Sequence, residues 1–293
     1  MYIKLYKKFR ELWKDKPNKT TPVTAEAMMH IEQGIFDNSI NSQELLWKMQ
    51  ELEARVEALE PVNIVSWADG TDEEIVAMVK ALHSGRITVE DTSWQVGDER
   101  TMYLSGIESE YFGSLSSQTA TLVILHRGGK LFEDGNECHF VVGMKEMFFS
   151  QNSMNLEATN AGGWDACGIR QPINNDFPKM LPESLLPIFS KFQNITAIGT
   201  GEETTISIDL FALAAEKEII GTNKHANSTA ESDLFQFDYY VSPANHRIKG
   251  GVGWWTRSSA DSSPLGFCYI DNSGNSKTDN AMSSHGISLF GCI

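Results

Sequence analysis

The feature that most narrows the folds open to this chain is its last stretch, Gly250–Ile293, in which short aromatic and aliphatic runs alternate with Ser, Asn, Asp and Gly. Trp254, Trp255, Phe267, Tyr269, Leu289 and Phe290 supply more apolar surface than a disordered tail can carry, because a segment stays unfolded when burial cannot offset chain entropy. The polar clusters between them are too rich in turn formers to continue any helix. Short strands joined by long polar loops are the reading that satisfies both constraints. The same pattern recurs upstream: "TMYLSGI", "ATLVILHR", "HFVVGM", "TTISIDLFAL", "FDYYVS", "GWWTRS", "GFCYID" and "GISLFGCI" are extended runs bounded by glycine or polar residues.

Helical signals are fewer. In "TDEEIVAMVKALHSG", Thr71 and Glu74 have capping-box spacing, Ile75, Met78, Val79 and Leu82 form one apolar face, and Gly85 stands where a C-terminal cap glycine belongs. Further helices are expected around Trp164–Arg170 and, after a break, near Glu183–Phe192, with another beginning at Thr24. The fold class is therefore α+β. Boundaries are placed at 1–61 (basic arm, helix and stalk), 62–150 (a helix with antiparallel strands) and 151–293 (a loop-rich domain), the last two forming either one domain or two.

Leu45, Met49, Leu52, Val56 and Leu59 recur at steps of four and three, the spacing of a coiled-coil seam, and Pro61 ends the run. A self-associating stalk is the expectation; a solitary amphipathic helix packed on its own domain is the alternative.

The formal charge of −15 argues against nucleic acid, whose binding requires Lys and Arg to neutralise phosphates. The exception is "MYIKLYKKFRELWKDKP", a basic amphipathic arm that reads as a docking segment for a protein partner rather than as a membrane helix. No apolar run reaches the ~20 residues of a membrane span, and no secretory signal is evident, so the expectation is a chain made and folded in a cytoplasm without membrane insertion. Cys138, Cys167, Cys268 and Cys292 form no C-x-x-C pair and read as buried thiols.

Motifs for catalysis and cofactors are not found: there is no G-x-S-x-G, H-E-x-x-H, P-loop or G-x-G-x-x-G. "DNSGNSKTD" (Asp271–Asp279) alternates oxygen ligands but misplaces the glycine and lacks the closing glutamate of a calcium loop, so it reads better as a hydrated β-turn. No metal, cofactor or catalytic residue is assigned.

Two resemblances follow from these residues. "TTPVTAEAMMHIEQGI" resembles the N-terminal attachment segment of phage baseplate and tail-fibre proteins, and from Ser66 onward the landmarks "SWADGTDEEI", "NAGGWDACGIR", "LPESLLPIF", "YYVSPANHRIK", "WWTRSS" and "FCYIDNSGN" are similar to phage and prophage domains whose C-terminal halves look like the C-type lectin fold of tropism-determining variable proteins. "DLFALAAEKEIIG" also resembles a motif of formylglycine-generating enzymes, which share that fold. Ala212 and Ala214 stand near where that motif has Pro and Glu, and no close cysteine pair accompanies it, so the fold transfers and the oxidase chemistry does not.

What the resemblance implies is a non-enzymatic receptor-binding protein of a virion tail, assembled in a bacterial host. Its N-terminal segment would dock on other tail or baseplate proteins, its stalk would make a homo-oligomer, expected to be a trimer, and its C-terminal loops would meet a host-surface glycan or protein. The implied ligand-binding set is Ser258, Ser259, Asp261, Ser262, Asp271, Asn272, Asn275, Lys277, Asp279, Asn280, Ser283 and His285, with Ser263 among the displayed loop residues. The alternatives are a purely structural baseplate component and a tail-associated glycan-degrading enzyme.

The stalk reading has a direct test. Replacing Leu45 and Leu52 together by Ser is expected to convert an oligomer into a monomer by sedimentation equilibrium; a parent chain that is itself monomeric at tens of micromolar would refute the seam.

Overall fold

In a computed structural model, the chain is described at residues 33, 34, 38, 41–52 and 61–293. It forms two compact units, Met1–Pro61 and Val62–Ile293. In the first, residues 41–52 (α1) are helical, and Leu45, Met49 and Leu52 are solvent-exposed in the single chain. Val56 and Leu59 lie outside the described residues, as do the arm and the helix expected from Thr24.

The second unit is α+β. Its first helix, α2 (Asp72–His83), follows the sequence signal: Glu74 N donates to Thr71 Oγ1 at 3.3 Å, Thr71 N donates to Glu74 Oε2 at 2.9 Å, and Ile75, Met78, Val79 and Leu82 are buried. Strands β1 (Glu99–Leu104), β4 (Gln118–Arg127), β5 (Phe140–Met144), β14 (Leu289–Cys292) and β9 (Ala212–Leu213) form one antiparallel sheet in the order β1-β4-β5-β14-β9. A second sheet has the order β12-β11-β10-β13-β6, from β12 (Ser276–Asn280), β11 (Gly266–Ile270), β10 (Trp254–Ser259), β13 (His285–Ile287) and β6 (Phe149–Asn152), with β10 and β13 parallel. Two hairpins complete the strands, β2 (Ile107–Ser109) with β3 (Gly113–Leu115) and β7 (Phe192–Ala197) with β8 (Thr204–Asp209).

The boundary expected at residue 150 is not one. β6 runs across it and pairs with β13, and β5 from before it pairs with β14 at the chain's end, so Val62–Ile293 shares one core. Three local expectations also change. Residues 161–169 are turns, because Gly162 and Gly163 hold φ of +78° and +60°, and the helix comes later as α3 (Arg170–Met180). Its Pro172 lies in the first turn, where a missing N–H loses no intrahelical bond. Glu183–Phe192 is not a helix: Pro182 and Pro187 limit it to one 3-10 turn, Leu186–Ile188, before β7 begins. "FDYYVS" holds a 3-10 turn at Asp238–Tyr240 instead of a strand.

Charge inside the core is what organises the packing. The short helix α4 (Glu216–Ile220) places Glu218 at zero exposure, where Arg257 of β10 and Lys130 of the β4–β5 connection both reach it; Arg257 Nη2 donates to its Oε1 at 2.9 Å. Lys130 continues to Asn194 Oδ1 at 3.3 Å, and Asn194 Nδ2 donates to Asp209 Oδ2 at 3.0 Å. Asp209 also accepts from Trp164 Nε1 (2.9 Å) and Arg170 Nε (2.6 Å), so one polar chain ties α3, α4, β7, β8 and β10 together. Burial pushes the Glu218 carboxyl up, but the two cations outweigh it and hold it down at about 2.

Removing one partner of such a network strands a buried charge, which costs about 3–5 kcal/mol. Glu218→Ala is therefore expected to lower the urea midpoint sharply, whereas Asp233→Ala, at an exposed position, is expected to leave it unchanged. The pH dependence has two opposed parts. Glu218, depressed from 4.5, stabilises fully above pH 4.5, and that stabilisation is lost as pH falls toward 2. Glu231, fully buried and pushed up to about 7, stabilises most below pH 4.5, and that contribution is lost as pH rises to 7. Glu231→Gln is expected to flatten the fall in stability between pH 4.5 and 7; a slope equal to the parent's would show that Glu231 ionises freely.

Candidate binding face

The residues expected to meet a ligand divide into groups once placed on the terminal sheet. Ser258 and Ser259 leave the set: both are fully buried on β10. Ser258 Oγ accepts from Glu216 N (2.9 Å) and donates to Glu231 Oε2 (2.6 Å), and Ser259 Oγ lies 3.5 Å from Ala197 O. Ser258 thus links the first amide of α4 to the buried Glu231 carboxyl, and Ser259 faces the end of β7, so both serve the interior.

Asp271, Asn272 and Asn275 form the β11–β12 turn. Asp271 Oδ1 accepts from Ser273 N and Asn275 N, both at 2.9 Å, and Gly274 takes φ of +78° to close the turn. The Asp271 carboxylate thus serves its own hairpin. Among the described residues no group of three or more His, Cys, Asp or Glu side chains is arranged to hold a metal ion. The four cysteines are buried and unbridged.

Four of the remaining residues gather at the other end of the same hairpin, about 15 Å away for a five-residue strand. Asp261 and Ser262 are exposed on the β10–β11 connection; Asn280 closes β12 opposite Gly266, and Ser283 follows it. Asn280 Oδ1 accepts from Met282 N at 2.9 Å, and Ser283 N donates to Asn280 O at 2.8 Å, which folds this loop tightly.

Lys277, Asp279 and His285 occupy strands between the two ends. Lys277 stands opposite Tyr269 in the β11–β12 register. His285 stacks on Tyr269 with ring centroids 4.0 Å apart and 16° between planes, Trp255 meets it edge-on at 4.5 Å, and its Nε2 lies 2.9 Å from Asp279 Oδ2. Burial raises the Asp279 carboxyl, but the contacts with His285 and Asn280 N prevail and keep it below the usual range. Gly253 is required beside this stack, since a Cβ there would lie 2.9 Å from Tyr269 Cδ2 and 3.1 Å from His285 Nδ1.

The structure adds residues that the sequence reading missed. Ala281 N donates to Leu265 O, and Ala281 O accepts from Met154 N and Asn155 N, so three loops distant in sequence meet at one rim. Each carries an exposed aliphatic side chain: Leu156 (78 %), Leu265 (48 %) and Met282 (56 %). Beneath them Asn160, 1 % exposed, aims Nδ2 at the carbonyls of Ala260 (3.2 Å), Ser263 (2.9 Å) and Gly266 (2.8 Å), while its own N donates to Pro264 O. Asn155 joins two further turns, donating to Thr159 O and accepting from Gly168 N. Gly163, with φ of +60° and a Cβ position 2.1 Å from Ala197 O, lets this loop lie against the β7–β8 hairpin. The result is a set of loops held by buried amides, with aliphatic side chains outward and Asp261, Ser262, Asn280 and Ser283 around them.

Residues 141–288, which contain this whole face, match the family described as Domain of unknown function (DUF6273). The chain belongs to the DUF6273 family. None of the curated proteins and none of the solved structures matches it. In this DUF6273 chain the matched region takes in both loop ends, α4 and its buried carboxylates, and stops before β14.

Aliphatic residues inside "SADSSPLGF" and "DNAMSSHG" were the available signal for Leu265 and Met282. Leu156 and Asn160 had none, because nothing local ties them to the terminal strands. Asn160→Ala should remove the side-chain donor of Ala260 O and Ser263 O, Gly266 O retaining Ala260 N, at a cost of about 1–3 kcal/mol. In that variant, amide exchange at Ala260 and at position 160 is expected to accelerate while Asp271, at the opposite turn, keeps its protection; unchanged protection at Ala260 and position 160 would remove Asn160 from its anchoring role.

Proposed function

We propose that the chain is the host-recognition subunit of a phage or phage-like tail, acting by binding and not by turnover. On this reading the finer fold is C-type lectin-like, the N-terminal segment docks on other tail or baseplate proteins, and the helix over 41–52 belongs to an oligomerising stalk, with a trimer expected. The reading draws first on the resemblance of the sequence and then on one observation, the exposed triplet Leu156, Leu265 and Met282 on loops anchored by Asn155 and Asn160. Exposed aliphatic groups rimmed by adaptable hydrogen-bonding residues on a rigid support are what a protein-like paratope presents. An oligomer multiplies a weak single contact through a shared stalk, which suits adsorption to a repetitive surface.

The test is binding of the purified chain to a panel of bacterial cells and isolated surface glycans, beside two folded variants. Leu265→Ser with Met282→Ser is expected to abolish saturable binding, and Asn272→Ala with Asn275→Ala, at the far turn, to leave it unchanged. Loss only in the far-turn variant would move recognition to the other end of the hairpin. A folded, oligomeric parent that binds none of the panel would instead favour a purely structural place in the baseplate.

A further inference from the structure

Away from the loop face, the unit has an open depression of about 680 Å³ between the C-terminal end of α2, the β4–β5 connection and the residues leading into β7, with His83, Glu133, Asp134 and Glu137 exposed along it. Its wall holds three aromatic rings. His83 lies edge-on to Phe132 (centroids 5.3 Å) and 5.2 Å from His139, and Phe132 and His139 are 6.1 Å apart. Glu133, Asp134 and Glu137 line the same space, and Lys191 is the single Lys or Arg side chain in the lining. The loop is held in shape from several sides: Phe132 N donates to Asn136 O, Glu133 N to Lys191 O, and His139 N to Ile293 O. Asp134 Oδ1 accepts from Asn136 N, and Glu137 Oε1 from Gly129 N, so both carboxylates have fixed positions.

We propose that this depression binds a small organic cation, an alkylammonium or guanidinium group such as the end of a lysine or arginine side chain. Ring faces attract cations through their quadrupole, weakly at an open site such as this one, and the carboxylates supply the net negative charge that an anion or a neutral sugar would not seek. The imidazoles contribute as neutral rings at pH 7: burial pushes both His83 and His139 below the ordinary 6.5, Asp134 opposing for His83 and the His83 ring adding to the effect for His139. The groups facing the depression are then His83 from α2, Glu133, Asp134, Glu137 and His139 from the β4–β5 connection, and Lys191 before β7. Protonating the rings would set cation against cation. Phosphates and acidic peptides are disfavoured by the same carboxylates.

The experiment follows the histidine ring signals of the full chain by carbon-edited NMR while propylguanidinium chloride is added, with sodium chloride and neutral butanol as matched controls and His83→Gln to assign the peaks. Saturable shifts of His83 and His139 alone, absent with both controls, are expected. Glu133→Gln, at an exposed position, should weaken the response about threefold, and Phe132→Leu by a similar factor if it folds. Affinity should fall in step with the ring protonation that the same peaks report. No saturable shift, an equal response to sodium chloride or butanol, or parental affinity in Glu133→Gln would overturn the proposal.

Discussion

Glu218 is the point on which the rest of the second unit depends. A carboxylate at zero exposure is tolerable only where cations and donors surround it, and here they arrive from β10 (Arg257), the β4–β5 connection (Lys130) and the N-cap of its own helix, where Ala215 N donates to Oε2 at 2.7 Å. Each of those elements is thereby required to stand where it does. Glu216, two residues earlier and equally buried, does the same for a different set: its Oε2 accepts from the amides of Lys224, His225 and Ala226, and its Oε1 from Ser276 Oγ. One five-residue helix therefore fixes the central strand of the terminal sheet, the 224–226 loop and the start of β12.

That arrangement explains how so much irregular backbone is held without long helices. The loops that form the candidate face send Met154, Trp164 and Ala281 into the core, while Leu156, Leu265 and Met282 remain exposed. The loops are also held by amides, Asn155 and Asn160, which satisfy several backbone groups at once in a place where unpaired carbonyls would be costly. Lys249 is a buried cation without a carboxylate partner: packed against the rings of Tyr240 and Trp254 and donating to Met144 O, its ammonium is lowered to about 7 by burial.

Much of the regular structure was legible because its signals are local. The capping box of Thr71 and Glu74 and the apolar face of α2 act within a few residues, and each aromatic run of the last stretch formed a strand or part of one. Where proline and paired glycines intervened, the periodic pattern misled: α3 begins at Arg170, and Glu183–Phe192 makes a single 3-10 turn. The candidate site was legible only in part. Asp261, Asn280 and Ser283 share one end with the newly seen Leu156, Leu265 and Met282, whereas Asp271, Asn272 and Asn275 sit at the other, because a five-residue hairpin separates turns that are close in sequence.

By itself the sequence determined the α+β class, the acidic net charge, the strand-and-loop character of the terminal stretch and the capped helix at Asp72–His83, since all of these follow from composition and short-range pattern. Only the tertiary structure decided that Ser258 and Ser259 are interior, that residues on both sides of 150 share one core, and that loops from 155, 265 and 281 meet at one rim. The physical reason is the same in each case. A polar residue written in a sequence is equally suited to water or to a buried partner, and which it meets depends on what distant segments bring to it.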